Sequence, residues 1–120
     1  MKKKILIVED DPGVQDICKI VFQRAGYETC IYANGMEVMQ NKYEKPDVFV
    51  LDKQLSGSSG LDLCRYLKEG EDTKDIPVLM ISASPDIGAL YKQSGADDYI
   101  EKPFTMKDIL QKVSVVLSKK

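Results

Sequence analysis

The chain has 120 residues, with 17 Lys and Arg against 19 Asp and Glu, a net charge of −2, and neither histidine nor tryptophan. That is the size of one ordinary domain, and a composition 43% hydrophobic and 30% charged excludes disordered, collagenous and membrane-spanning chains. The missing histidine excludes a Ser-His-Asp triad, a Cys-His pair, a His-rich zinc site and a phosphohistidine on this chain.

A slightly acidic chain argues against direct nucleic-acid binding, which calls for a basic face. The one lysine run, Lys2 to Lys4, reads as a solvated lead-in to a strand. Cys18, Cys30 and Cys64 are odd in number, widely spaced and set in apolar segments, so they are expected to be reduced core thiols. The N-terminal apolar run is short and followed by Glu9-Asp10-Asp11, which does not fit a signal peptide. Together these features predict a cytoplasmic protein with no membrane partner.

In chain order, apolar β-rich runs alternate with helical-period segments. The first run, residues 4–8, is apolar without alternation from Ile5 onward, as expected of a strand covered on both faces. Pro12 suits a first helical turn, Val14, Ile17, Cys18, Val21, Phe22 and Ala25 follow at helical spacing, and Gly26 closes the helix. Asp11 is read as the cap of this helix. A second strand is expected over residues 27–32 and a second helix from Asn34 to about residue 42. Pro46 precedes a third strand ending at Asp52, and the Ser/Gly loop 56–60 leads into a helix carrying Leu61, Cys64 and Leu67. The fourth strand covers 78–81. The helix after it contains Pro85 and Gly88 and is predicted to be short, irregular or mobile. A fifth strand covers about 98–100, Lys102-Pro103-Phe104 is a break, and Met106, Ile109, Leu110, Val113 and Leu117 mark the last helix.

Five strand-then-helix units with right-handed crossovers predict a single α/β domain over residues 1–120, an open doubly wound parallel sheet. Ligands of such sheets bind beyond the carboxyl ends of the strands, where the strand order reverses. Those ends carry Glu9, Asp10 and Asp11 after the first strand, Asp52 after the third, Ser82 after the fourth and Lys102 after the fifth. In the order 2-1-3-4-5, Glu9, Asp10 and Asp52 share one cleft. Carboxylates so close repel unless a cation intervenes, and oxygen-only ligands suit a hard ion such as Mg²⁺, with Mn²⁺ as a substitute. Asp52 can then act as a carboxylate nucleophile toward phosphorus, with Mg²⁺, the Lys102 ammonium and the Ser82 hydroxyl each meeting one phosphoryl oxygen. Singly, each of these residues reads better as a turn or surface group; their conjunction at one sheet edge reverses that reading.

The segments ILIVEDDP (5–12), PDVFVLDKQLSG (46–57), PVLMISA (77–83) and GADDYIEKPFT (95–105) resemble the receiver domain of two-component response regulators along nearly the whole chain. The resemblance implies a flavodoxin-like fold of five β/α units and makes Asp52 the phosphoacceptor, phosphorylated from a histidine kinase or histidine phosphotransfer protein. It makes Glu9 and Asp10 the metal-binding acidic pair, Gln54 the donor of a backbone carbonyl to Mg²⁺, Ser82 the switch hydroxyl, Lys102 the phosphate-sensing lysine and Tyr99 the switch aromatic. It also implies a cis Lys102-Pro103 bond and an output face on the fourth helix, fifth strand and fifth helix. The expected protein is a signalling switch and not an enzyme, a monomer or a weak phosphorylation-dependent dimer.

Ser56 stands where the family commonly has proline, which suggests a more mobile loop, and the 20 residues from Ser82 to Lys102 make a short interval. An aspartyl-phosphate hydrolase is a competing reading, but Gln54 occupies the position where such enzymes want a second acid. A degenerate, non-phosphorylated binding module is another, but every chemical residue is present. Nothing resembling an output domain follows the last helix, which fits either a stand-alone regulator or a receiver cut from a longer protein.

Overall fold

A computed structural model of the chain describes residues 2–55 and 58–118. The expectation about Ser56 lies outside the described residues. Five parallel strands, β1 (Lys4–Val8), β2 (Glu28–Tyr32), β3 (Val48–Asp52), β4 (Val78–Ser82) and β5 (Asp98–Glu101), form one sheet in the order β2-β1-β3-β4-β5. This is the doubly wound architecture expected from the alternating pattern. The helices are α1 (Pro12–Arg24), α2 (Met36–Met39), α3 (Gly60–Glu69), α4 (Ile87–Leu90) and α5 (Met106–Ser118).

The strands are continuously apolar because each face is roofed. Leu6, Val8, Phe49, Leu51, Val78 and Met80 pack toward Leu63, Cys64 and Leu67 of α3 and Ile87 of α4. The alternate residues Ile5, Ile7, Val48, Val50, Leu79 and Ile81 pack toward Cys18, Val21 and Phe22 of α1 and Ile109, Val113 and Val116 of α5. This period of two decides which side each residue continues onto as the strands run out at the sheet edge.

α1 begins as expected: the Asp11 side chain accepts a hydrogen bond from Gly13 N at 2.9 Å, Pro12 opens the helix, and Gly26 follows it at φ 93°. Cys30 is half-buried, where a fully buried thiol was expected; Cys18 and Cys64 are buried, and all three are free. α2 is shorter than the predicted segment from Asn34 to residue 42. Asn34 Oδ1 accepts from Met36 N at 3.0 Å, holding the chain in a turn up to Gly35, and Asn41 at φ 60° leaves the helical path at the far end. α4 is a four-residue helix followed by a 3-10 turn, Lys92–Ser94, and Gly95 at φ 89°. This matches the short, irregular helix expected from Pro85 and Gly88. The Ser/Gly loop contains a small antiparallel ribbon, Gln54–Leu55 against Ser58–Ser59, that periodicity does not reveal.

Candidate functional site: an acidic cleft at the carboxyl edge of the sheet

Three backbone hydrogen bonds extend the ladders past the strand ends and fix the site residues in place. Glu9 N donates to Tyr32 O at 2.9 Å, Lys53 N to Ile81 O at 2.8 Å, and Lys102 N to Ser82 O at 2.8 Å. Glu9, Asp52 and Lys102 continue the alternation that faces α1 and α5, so they converge. The carboxylates of Glu9, Asp10 and Asp52 each offer an oxygen within 4.8 Å of the others. Lys102 Nζ donates to Asp52 Oδ2 at 3.1 Å and lies 2.9 Å from Glu9 Oε1. The Lys102-Pro103 peptide bond is cis. Ser82, 2% exposed, ends β4 one residue past Ile81, the register partner of Asp52, and its Oγ accepts from Ser84 N at 2.9 Å.

Electrostatically the cleft is short of positive charge. Glu9 is fully buried, and burial, reinforced by the nearby Asp52 carboxylate, pushes its pKa up to about 7 against the pull of Lys102. Burial works against the Lys102 charge, but pairing with Glu9 and Asp52 outweighs it and raises the lysine above its ordinary value. One ammonium thus serves several acids. Lys102 Nζ forms an ion pair with Glu9 Oε1 at 2.9 Å, and among the described residues that buried oxygen has no hydrogen-bond partner. A buried orphan acceptor within a cluster of carboxylates is the donor set a hard divalent cation needs, so these residues fit Mg²⁺. Beneath the cleft, burial lifts the Cys18 thiol to about 11, which keeps it protonated and inert.

Sequence reading missed two residues at this edge. A Cβ on Gly60 would lie 1.8 Å from the Asp52 carbonyl oxygen, so only glycine lets the start of α3 close on the end of β3. Gln15 Nε2 donates to Glu9 O at 2.5 Å and ties α1 to the acidic pair. Neither contact leaves a periodic signal, because each depends on tertiary approach. Tyr99 sits on β5, its ring centroid 4.8 Å from that of Tyr91, its hydroxyl end against Gly88 and Lys112 Nζ 5.5 Å from its centroid.

The response regulator receiver domain family matches residues 5–114. The chain therefore belongs to that family: it is a receiver domain of two-component signal transduction. It is 34% identical over 94% of its length to the DNA-binding response regulator MtrA of Mycolicibacterium smegmatis, covering 50% of that protein. To the phosphate regulon transcriptional regulatory protein PhoB of Pseudomonas aeruginosa it is 36% identical over 96% of its length, covering 52% of the relative. The chain thus spans about half the length of these curated relatives. A crystal structure of a response regulator from Chloroflexus aurantiacus superimposes with a TM-score of 0.91 at 35% identity, covering 98% of this chain and 99% of that one. Among the described residues no helix is long and apolar enough to cross a membrane.

Proposed function

We propose that Asp52 is the phosphoacceptor of a cytoplasmic switch that takes its phosphoryl group from a phosphohistidine on a partner kinase or phosphotransfer protein. The arrangement that carries this reading is the Lys102 ammonium 3.1 Å from Asp52 Oδ2 within the acidic cleft formed with Glu9 and Asp10. In the transfer, an Asp52 carboxylate oxygen forms a bond to phosphorus while the P–N bond of the donor breaks, and the imidazole leaves with the bonding pair and then carries a proton. Glu9, Asp10 and Asp52, with the Gln54 backbone carbonyl, would hold Mg²⁺. Bound there, Mg²⁺ supplies positive charge to a phosphoryl oxygen and offsets the repulsion among the carboxylates. Lys102 compensates a second oxygen, and the Ser82 hydroxyl, whose oxygen accepts from Ser84 N, keeps its proton to donate to a third.

Drawing Ser82 toward the phosphoryl group shifts the loop into α4 and leaves room for Tyr99 to turn. Phosphorylation is thereby read out as repacking of the face made by α4, β5 and α5. Partners are proposed to be proteins that read this face, with the domain acting as a monomer or a weak phosphorylation-dependent dimer. The net charge of −2 argues against nucleic acid as a direct partner of this domain. In a longer chain, DNA contact of the kind named for MtrA would fall to the other half. Incubation with phosphoramidate and Mg²⁺ is expected to add one phosphate per chain by intact mass. EDTA or Asp52→Asn should abolish the gain, and no uptake by the wild-type protein would sink the reading.

A further inference from the structure

On the opposite side of the sheet from Lys102, an ion pair bridges two loops of the site and takes no part in the chemistry described above. Lys53 Nζ donates to both carboxylate oxygens of Asp86, at 2.9 and 3.1 Å, across 33 residues of sequence. Lys53 continues the Phe49 and Leu51 alternation, which faces α3 and α4, so it diverges from its neighbour Asp52 and reaches the residue preceding α4. Its backbone is pinned on both sides: Lys53 N donates to Ile81 O at 2.8 Å and Lys53 O accepts from Gly60 N at 2.7 Å. The Lys53 side chain is only 14% exposed, whereas that of Asp86 is 55% exposed. One end of the bridge is therefore anchored in the phosphoacceptor loop, and the other lies on the segment that must move.

We propose that Lys53 is a positioning residue of the phosphoryl site: its ion pair with Asp86 holds the loop after Ser82, and α4 with it, in the arrangement seen here, so that a shift of Ser82 toward a phosphoryl group works against the pair. The inference rests on the phosphoacceptor reading of Asp52. Three residues separate Ser82 from Asp86, and Ser84 N is bonded to Ser82 Oγ at 2.9 Å, so a shift of Ser82 toward a phosphoryl group pulls Asp86 with it. The bridge opposes that shift by whatever it contributes to the arrangement seen here. A partly exposed bidentate pair contributes enough to change the ratio of resting to switched forms by roughly two- to fivefold. Lys53 thus sets how readily the site closes on phosphate without touching the phosphate itself.

The test compares wild type, Lys53→Met, Asp86→Asn, the double variant and Lys53→Arg. Two readouts serve: amide hydrogen exchange over residues 83–91 without donor, and the rate of phosphate uptake from phosphoramidate at saturating Mg²⁺. Each single loss is expected to speed both roughly two- to fivefold, the double variant to go no further than either single, and Lys53→Arg to stay near wild type. Raising the salt to about 0.5 M should narrow the gap, because the pair is partly solvated. Unchanged exchange in both singles, or effects that add in the double variant, overturns the latch. Unchanged exchange with normal wild-type uptake removes the latch and leaves the phosphoacceptor reading standing. No uptake by wild type removes the phosphoacceptor reading and, with it, the role assigned to Lys53.

Discussion

Gly60 is where a single methyl group should do the most damage. A Cβ there would sit 1.8 Å from the Asp52 carbonyl oxygen and 2.9 Å from Lys53 Cα, and both are backbone atoms that cannot swing aside. Gly60→Ala is expected to lower stability by about 2 to 3 kcal/mol in urea titration. Because relief comes only by moving the Asp52-Lys53 segment, it should also slow phosphate uptake in the fraction that stays folded. Stability and uptake both at wild-type levels would contradict the close approach. Lys102 acts through its charge, which Glu9 and Asp52 share. Lys102→Met is therefore expected to leave Mg²⁺ binding intact or tighter, because it removes a competing cation. The same variant should lose most of the phosphorylation-dependent shift in tyrosine fluorescence. Weaker Mg²⁺ binding in this variant would argue that the lysine organises the acidic pair instead of competing for it.

At the scale of the element, α4 matters most. Gly88 weakens helix propensity, but a Cβ there would also stand 3.2 Å from Tyr99 Oη, so the glycine makes room for the tyrosine as well. In Gly88→Ala, the gain in helix propensity of about 1 kcal/mol opposes the crowding, and thermal stability is expected to change little. The Tyr91 and Tyr99 rings, 4.8 Å apart, should show altered ring-current shifts by NMR. Unaltered shifts would mean that Tyr99 is not held by this contact. The same stretch marks the boundary of what sequence alone discloses. The strands were legible because burial on both faces writes Val48 to Leu51 or Val78 to Ile81 as unbroken apolar runs. Glu9, Asp10, Asp52, Ser82 and Lys102 were legible because the rule for parallel sheets puts them on one edge. The Lys53–Asp86 bridge and the Gly60 contact were not, since each pairs residues whose meeting depends on how loops close and not on any period. The predicted length of α2 failed for a similar reason: Asn34 and Asn41 form local turns that compete with helix at both ends.

For the molecule as a whole, the acidic cleft trades stability for a cation site. Glu9 ionises at about 7 in the folded chain against an ordinary value of 4.5, so the folded state favours its protonated form. That contribution is complete below about pH 4.5 and is lost as the pH rises through about 7. Without Mg²⁺, urea stability attributable to this group should fall across that window, and Glu9→Gln should exceed wild type at pH 7.5 by roughly 1 to 3 kcal/mol. Saturating Mg²⁺ should stabilise wild type at pH 7.5 and have much less effect on the variant. A variant less stable than wild type in EDTA would mean that Glu9 is satisfied as an anion within the fold. All of these effects serve one claim, that Asp52 carries the phosphoryl group. After loading with phosphoramidate and Mg²⁺, borohydride reduction converts an aspartyl phosphate to homoserine, which peptide mass spectrometry locates by position. The account predicts homoserine at position 52 alone; homoserine at position 10 or 62, or none in a protein that has gained phosphate, would contradict it.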